Sequence, residues 1–257
     1  MEKSPTRLII NADDFGFTPG VSCGILYAHK YGMLTSTTAM VNTEFSKQSL
    51  EEAKRYPNLG IGLHLVLDAG QPIFSSNSSL TDHAGNFLKG KELMESAKKE
   101  DIKNELKAQL EILYRWYGDV THIDSHHHMH LHIPNALEAV LEVAKSYQIP
   151  VRTFTGSEQT GSVPTTDFLY YDFYGEENVS IDYLLNIFSN LQPGTTEIMC
   201  HPAFLDSWLN RASSYNFTRM KELEILVDNR IKDWLQNHSI HLIHYGGISK
   251  WTLKNSL

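Results

Sequence analysis

The stretch RLIINADDFG, residues Arg7–Gly16, joins an apolar run to two adjacent carboxylates. Its apolar half, RLIINA, ends abruptly at polar residues, which is typical of a buried strand. Thr18 and Pro19 come next and provide a capping side chain and a proline at the first helical position. We therefore predict a strand, a polar turn, and a helix that runs to about Tyr31 and ends at Gly32.

The same alternation of strand and helix continues along the chain. Six further strands are predicted, at residues 34–41, 59–67, 120–124, 150–154, 196–201 and 240–245. Helices are predicted at about 46–56, 91–117 (with a break near 99–101), 134–147, 181–191 and 219–236, and two long loops at 68–90 and 155–178. Alternating strands and helices indicate parallel βαβ units. We therefore expect an α/β fold, a closed or nearly closed seven-stranded, TIM-barrel-like (β/α) barrel in which residues 1–257 form a single domain. An open doubly wound sheet is the alternative.

The composition is that of an ordinary globular protein. The chain of 257 residues carries 22 Lys and Arg against 30 Asp and Glu, a net charge of −8. This balance disfavours nucleic acid and anionic membrane surfaces as partners, because both are bound through Lys and Arg. Two cysteines are too few for a disulfide framework; Cys23 is expected in the first helix and Cys200 as a small buried residue. Neither a signal peptide nor a membrane-spanning stretch is evident, so we expect a cytoplasmic protein.

Polar residues collect where the predicted strands end. Asp13 and Asp14 follow the first strand, His64 lies late in the third, and the run THIDSHHHMHLH, residues Thr121–His132, ends the fourth. Three more residues occupy the corresponding positions of the fifth, sixth and seventh strands: Arg152, His201 and His244. Active sites of parallel α/β proteins lie at the carboxyl ends of the strands, so the pattern predicts one polar pocket there.

Each of these residues also has a structural explanation. His64 is compatible with a hydrogen-bonded core histidine, Arg152 with a salt-bridged rim residue, and His201 with a turn. Adjacent aspartates often close a turn or cap a helix. Because Thr18 already supplies the cap, we favour a site in which one aspartate binds a metal and the other acts as a base.

The six histidines of Thr121–His132 fit a metal site, an acid–base cluster or a polar loop. Strand alternation places four side chains on one side of the fourth strand: His122, Asp124, His126 and His128. A catalytic zinc site takes about three protein ligands, so only one or two of these histidines can bind a single ion. The others and Asp124 would then orient the ligands. His130 and His132 are expected at the surface or at the entry to the next helix.

Six motifs together resemble those of one known family. They are NADDFG, TSTTAMVN, GIGLHLVLDAG, THIDSHHHMH, DFYGEE and MCHPAFLD, which lie in this order between residues 11 and 206. The chain resembles the YdjC-like carbohydrate deacetylases and looks closest to bacterial chitooligosaccharide deacetylases. The resemblance extends from about Leu8 to His244, and the regions 68–90 and 154–179 match less closely.

The resemblance implies an irregular seven-stranded (β/α) barrel related to the NodB-like polysaccharide deacetylases. It also implies one divalent ion, Zn²⁺ or Mg²⁺, held by the metal ligands Asp14, His64 and His126. By the same resemblance Asp13 is the catalytic base. His201 is the general acid and Arg152 orients the base.

We therefore expect an enzyme of carbohydrate metabolism that hydrolyses a linear amide. It would remove the N-acetyl group from N-acetylglucosamine units of chitobiose and longer chitooligosaccharides, releasing acetate. The ion would polarise the acyl oxygen and activate a water, Asp13 would accept a proton, and His201 would donate one as an imidazolium. Aromatic candidates for contact with this small N-acetylated sugar are Phe15, Phe74, Tyr174 and Trp208.

Two alternatives remain. A metal-dependent phosphoesterase usually surrounds its phosphate with several Arg or Lys side chains, and only Arg152 is evident here. A non-catalytic metal- or sugar-binding protein would have no need of the extra base and acid that Asp13 and His201 provide. The oligomeric state is open, and a homodimer is the working hypothesis.

Overall fold

A computed structural model describes residues 6–75, 78–154 and 160–248. The strands in these residues are β1 (Thr6–Phe15), β2 (Ser36–Ala39), β3 (Gly60–Leu65), β4 (Ile123–Ser125), β5 (Phe168–Tyr170), β6 (Gly194–Cys200) and β7 (Ile240–Leu242). All strand pairs are parallel, in the order β4-β3-β2-β1-β6-β5, and β7 pairs with the start of β1. The α/β class and the parallel pairing follow the prediction, and six of the seven observed strands lie at predicted positions; β5 does not.

The helices of the described residues pack around this sheet. They are α1 (Pro19–Tyr31), α2 (Ser46–Ala53), α3 (Gly90–Ser96), α4 (Lys99–Trp116), α5 (Met129–His132), α6 (Ala136–Tyr147), α7 (Gly175–Asn178), α8 (Ile181–Ser189), α9 (Ser207–Ala212), α10 (Phe217–Leu226) and α11 (Asn229–Gln236). None of the helices in the described segments has both the length and the hydropathy needed to cross a bilayer.

Strand β1 is the centre of the sheet. On one side it pairs with β6 from Thr6 to Ala12. On its other side it pairs first with β7 and then, from Asn11 to Phe15, with β2. From Ile9 to Phe15 its residues are fully or almost fully buried, because helices cover one face of the sheet and the curled interior covers the other.

The sheet is a half-barrel and not the closed barrel that was one of the two expected forms. Within the described segments, β4 and β5 are edge strands that do not pair with each other. The predicted fifth strand, 150–154, is reduced to a single bridge between Val151 and Ile123 of β4. The N–H of Ile123 donates to the carbonyl oxygen of Pro150 and the N–H of Arg152 donates to that of Ile123, while the N–H of Val151 donates away from the sheet, to Pro164.

The observed β5 lies where a long loop is predicted. Only three residues, Phe168–Tyr170, pair with β6, which is too short a run for hydrophobic alternation to indicate a strand. The remainder of the predicted loop contains α7, and residues 155–159 of it lie outside the described segments.

Side-chain caps mark where several of the helices begin. Thr18 caps α1 by accepting from the backbone N–H of Val21, as predicted. The predicted helix 219–236 is wrong as a single element, since Asp228 accepts from the N–H of Arg230 and begins α11 after α10 has ended. Asp206 similarly begins the unpredicted α9. The predicted helix 91–117 is interrupted at residues 97–98, close to the expected break.

Candidate metal centre and active site

A cavity of about 570 Å³ opens at the carboxyl ends of the strands, as the sequence predicts. Its lining includes residues from four strand ends and from the segment around α10: Asp13, Asp14, His64, His126, His128, Tyr174, His201, Tyr215 and Arg219. His244 is not among the lining residues. Strand β7 pairs only with Thr6–Leu8, so His244 lies much lower, against Gly60 at the start of β3.

Asp13 and Asp14 both line the cavity although they are adjacent in β1. In a regular strand their side chains would point to opposite faces. The register with β2 shifts between Ala12 and Phe15, and Asp14 has a positive φ of 70°. This bulge turns the chain locally, so that two consecutive carboxylates reach the same cavity.

Asp14 meets two histidines through a single oxygen. Asp14 Oδ1 lies 3.1 Å from Nε2 of His64 and 3.0 Å from Nδ1 of His126. One donor atom from each of the three residues lies within 4.8 Å of the others, which is the spacing of ligands around one ion. The three predicted metal ligands are thus brought together in the structure.

The donor set fits a divalent ion. His64 Nε2 is buried and has no hydrogen-bond partner of good geometry among the described residues. Its other ring nitrogen, Nδ1, lies 2.7 Å from Asp124 Oδ1, the carboxylate–histidine arrangement that orients metal-binding imidazoles. Two imidazole nitrogens and one carboxylate oxygen are ligands that Zn²⁺ favours.

Burial lowers the pKa of His64, but Asp124 and Asp14 outweigh that effect and raise the pKa to about 10. Without an ion, His64 is therefore an imidazolium at neutral pH, and its positive charge offsets the negative charges of Asp124 and Asp14.

Two other groups of potential ligands are less suitable. Asp13, His64 and Asp124 come close together, but Arg152 already pairs with both carboxylates. Asp68 and His127 come close to His126 at the rim, where the His127 side chain is 65% exposed and contacts Asp68 Oδ2 at 2.6 Å.

Asp13 is held rigidly by Arg152. The guanidinium donates from Nη1 and Nη2 to the two oxygens of Asp13, each at 2.7 Å, and the amide of Asn11 donates at 3.0 Å. Burial raises the pKa of Asp13, but the charge of Arg152 outweighs it and holds the pKa well below its usual range. Asp13 is therefore a carboxylate at neutral pH, with a fixed orientation.

Arg152 is completely buried and joins three carboxylates. Besides Asp13 it contacts Asp124 Oδ2 at 2.8 Å and Glu197 Oε1 at 2.7 Å. The Tyr245 hydroxyl donates a hydrogen bond to the other Glu197 oxygen. A guanidinium offers five N–H donors in a rigid plane, so one side chain fixes the orientation of all three acids.

The histidine-rich run has several separate roles. The predicted alternation holds only to Ser125, because His127 and His128 adopt positive φ angles of 51° and 54° in a turn after β4. His126 and His128 reach the cavity, whereas His122 lies below it, stacked on Tyr245 with ring centroids 3.8 Å apart.

The last two histidines of the run differ from each other. His132 is exposed, as expected. His130 is not a surface residue: its ring is fully buried and contacts Ser125 Oγ and the carbonyl oxygen of Arg152. It fixes the turn that carries His126.

His201 lies directly after β6 and is a lining residue. Its backbone N–H donates a short hydrogen bond to Glu222, which also accepts from the Tyr215 hydroxyl. Burial lowers the pKa of His201 to about 3, and Arg219 contributes in the same direction. The imidazole is therefore neutral at pH 7 in the ligand-free protein, in contrast to the expected imidazolium.

The predicted sugar-binding aromatics are not equally placed. Tyr174 lines the cavity, 5.5 Å from the His201 ring. Trp208 is 46% exposed and lines a second cavity of about 320 Å³ that shares Phe17 with the first. Phe15 cannot contact a ligand, because β1 continues through it and places its ring in the core. Phe74 is exposed but lies outside both cavities.

The sequence pattern does not predict Arg219 and Glu222 as site residues; both are buried residues of α10. Arg219 Nη2 donates to Asp14 Oδ2 at 2.7 Å. The pattern of α10 is that of an ordinary surface helix, so nothing local distinguishes these side chains. Only the contact across 205 residues shows that Arg219 belongs to the cavity.

The fold and the site define a (β/α) half-barrel protein with a cluster suited to one divalent ion at the carboxyl edge of its sheet. The family model of the YdjC-like protein matches residues 7–237. A carbohydrate deacetylase from Clostridium beijerinckii is 39% identical over 245 residues, which is 94% of this chain and 100% of the relative. The chain therefore belongs to the YdjC-like family.

Solved structures agree with this assignment. A crystal structure described provisionally as a cellobiose-phosphate cleavage protein from Enterococcus faecalis has a TM-score of 0.89 at 36% identity, covering 95% of this chain and 99% of that one. A peptidoglycan deacetylase from Bacillus subtilis has a TM-score of 0.50 at 12% identity, covering 98% and 94% of the two chains. The second likeness concerns the fold alone.

Proposed function

We propose that this protein is a metal-dependent carbohydrate deacetylase. Its substrates would be N-acetylglucosamine units of diacetylchitobiose and longer chitooligosaccharides, and its products acetate and the free amine. The observation that carries the proposal is the pairing of two functions at one bulge of β1. Asp14 lies with His64 and His126 in a set fit for one ion, while both oxygens of the neighbouring Asp13 accept from Arg152.

An ion bound by Asp14, His64 and His126 would polarise the acyl oxygen and lower the pKa of a water toward about 7. Asp13 would accept the proton of the attacking water as general base. Its low pKa makes it a weak base, but its orientation is fixed by two hydrogen bonds from Arg152, and position contributes strongly to general-base catalysis.

His201 would serve the leaving nitrogen. Its imidazole is neutral in the ligand-free protein, so it would first take up the proton that Asp13 accepts from the attacking water and would then donate that proton to the leaving amine. Nδ1 of His201 is buried and without a hydrogen-bond partner among the described residues, so it is free to take part. Its backbone is anchored by Glu222, which keeps the ring at the cavity wall.

Two aromatic side chains would contact sugar rings. Tyr174 stands beside His201 in the first cavity, and Trp208 lines the adjoining one, which is large enough for a further ring. Exposed aromatic faces suit the C–H surfaces of sugars, while polar groups such as Asn42 are available for hydroxyls.

The test is acetate release from diacetylchitobiose by chelator-treated protein, before and after addition of Zn²⁺ or Mg²⁺. We expect release that depends on the ion, and a loss of about 10²–10⁴ in kcat for Asp13→Asn with metal affinity unchanged. Ion binding without release would end the chitobiose assignment. Hydrolysis of a sugar phosphate in its place would show that the protein is a phosphoesterase. An Asp13→Asn protein as active as the wild type would show that Asp13 is not the general base.

A further inference from the structure

Arg219 occupies an unusual position for a cation. Its Nη2 lies 2.7 Å from Asp14 Oδ2, and the opposite oxygen of the same carboxylate faces His64 and His126. A permanent positive charge is thus paired with the acid that the proposed ion also needs. Because like charges repel, this arrangement weakens the attraction of the site for a cation.

The position of Arg219 is built into the fold. Its Nε donates to the carbonyl oxygen of Tyr215 at 2.9 Å, and the guanidinium lies over the Tyr215 ring at 5.5 Å from the centroid. The side chain is 5% exposed. The positive charge of the guanidinium is therefore held in a buried position beside Asp14.

One nitrogen of this guanidinium lacks a hydrogen-bond partner among the described residues. Nη1 is buried and makes no hydrogen bond within the described part of the chain. An unpaired buried donor is costly, and native proteins contain few of them without a functional reason. Arg219 is also a lining residue of the main cavity. The cavity wall therefore contains the positive charge of Arg219 and a hydrogen-bond donor, Nη1, that is unpaired among the described residues of the ligand-free protein.

We propose that Arg219 is a positioning residue that makes the site bind its ion less tightly and process its substrate faster. By pairing with Asp14 Oδ2 it leaves only Oδ1 for the ion and withdraws negative charge from that ligand. An acyl oxygen bound at the ion would lie in the same cavity as this guanidinium, which pairs with one of the proposed ligands, so the charge of Arg219 would act on the negative charge that develops there. Fixed positive charge at such a position stabilises the transition state more than the ground state.

The statement on catalysis rests on the proposed deacetylase function, and the statement on metal affinity does not. The two are therefore measured separately. Zn²⁺ affinity is determined by competition with a chelating dye for the wild type, Arg219→Gln, Arg219→Met and Arg219→Lys, and kcat and KM for acetate release are determined on the same preparations. Arg219→Met keeps an aliphatic stem against Tyr215, so the affinity measurement does not depend on one substitution.

For both neutral variants we expect Zn²⁺ to bind about tenfold more tightly, because the competing charge is gone. Their kcat should fall about 10²-fold with KM changed little, the usual effect of removing one electrostatic contact made in the transition state. Arg219→Lys should keep near-normal affinity and part of the rate. Arg230→Gln, which removes an exposed arginine paired with Asp228, is the matched control and should change neither quantity.

A merely structural role gives the opposite sign. If Arg219 only held Asp14 in place, the neutral variants would bind Zn²⁺ more weakly, and that result, or unchanged affinity, overturns the proposal. Tighter binding with unchanged kcat overturns its catalytic half. If the wild type releases no acetate, the proposed function fails. The comparison of Zn²⁺ affinities still tests whether the charge of Arg219 weakens binding of the ion.

Discussion

At the scale of single residues, Asp124 decides how well His64 can serve as a ligand. It accepts from the Thr38 hydroxyl at 2.9 Å and lies 2.7 Å from His64 Nδ1, so it fixes the ring and its tautomer. We expect Asp124→Asn to weaken Zn²⁺ binding about 10–100-fold, as loss of such a carboxylate typically does. Calorimetric titration with Zn²⁺ measures this.

The control for that titration is Asp101→Asn, a carboxylate that accepts from Ser79 and is not a lining residue of the cavity. Its affinity for Zn²⁺ should equal that of the wild type. An Asp124→Asn protein that binds as tightly as this control would show that His64 needs no orienting carboxylate.

Glu222 should make the stability of the protein depend on pH. Burial raises its pKa to about 7 from an ordinary 4.5, against the opposing hydrogen bond from Tyr215. The folded state therefore holds a proton that the unfolded state has released, so this contribution is complete below pH 4.5 and is lost as pH rises through 7. The raised pKa corresponds to a loss on the order of 3 kcal/mol in the free energy of unfolding.

Urea unfolding of the metal-free protein between pH 4 and 8 measures this effect. Glu222→Gln cannot titrate, so the difference in stability between wild type and variant should shift across this interval in favour of the variant. Parallel curves for the two proteins would mean that Glu222 does not carry the raised pKa.

The residues of the site divide by how they could be recognised in the sequence. Asp14, His64 and His126 stand at strand ends within unusual motifs, and the structure brings them together as predicted. Arg219 and Glu222 lie among other charged residues of α10, and only tertiary contacts place Arg219 in the cavity wall and Glu222 behind His201. The state of His201 also depends on burial, which single-residue chemistry does not reveal.

At the scale of elements, α1 positions the segment that carries His201. A Cβ on Gly24 would lie 2.6 Å from the Cα of Ala203, and one on Gly20 would lie 2.3 Å from the carbonyl oxygen of Phe204. These contacts are with backbone, so neither neighbour can rotate away. The two glycines bring α1 directly against the chain that follows β6.

We expect Gly24→Ala to destabilise the protein by about 1–3 kcal/mol, the usual cost of overpacking. In an open helix the same change would stabilise the protein by about 0.5–1 kcal/mol. The sign of the change in the free energy of unfolding therefore shows whether α1 packs against Ala203 at Gly24. Displacing Ala203 should also reduce kcat while leaving Zn²⁺ affinity unchanged. Urea unfolding and acetate release measure the two effects.

Cys23→Ala is the control at the neighbouring, exposed position of α1 and should leave both quantities unchanged. An equally stable Gly24→Ala protein would show that the helix and the segment can separate at little cost.

The elements were predictable where local chemistry defines them. Thr18, Pro19 and Gly32 mark α1, and apolar runs mark β1, β3 and β6. Strand β5 and the bridge at Val151 depend on which neighbour the chain meets, and three paired residues leave no periodic signal. The break between α10 and α11 is a capping event at Asp228 within an otherwise continuous helical pattern.

At the scale of the whole molecule, ion binding should stabilise the fold, because the three ligands come from β1, β3 and the turn after β4. At a free Zn²⁺ concentration about 100 times the Kd, linkage gives about 2.7 kcal/mol. For a chain of this size that raises Tm by about 5–10 °C. Thermal unfolding with and without Zn²⁺ measures the shift.

His126→Ala should abolish this shift, and His132→Ala, an exposed histidine of the same run, should retain it. An equal shift in both variants would place the ion elsewhere.

The pairing of β1 has a consequence for the chain during its synthesis. The proposed ligands all precede residue 129, and β1, β2, β3 and β4 are neighbours in the sheet, so this portion can assemble early. The other edge of β1 stays unpaired until β6 has been synthesised. Synthesis from Ser125 to Cys200 takes roughly 4–15 s at typical ribosomal rates. For that time an apolar edge containing Leu8, Ile9 and Ile10 offers unpaired backbone groups to other chains. Crowded polysomes would therefore favour intermolecular strand pairing at β1, and chaperones that shield exposed strand edges would raise the yield of the folded protein.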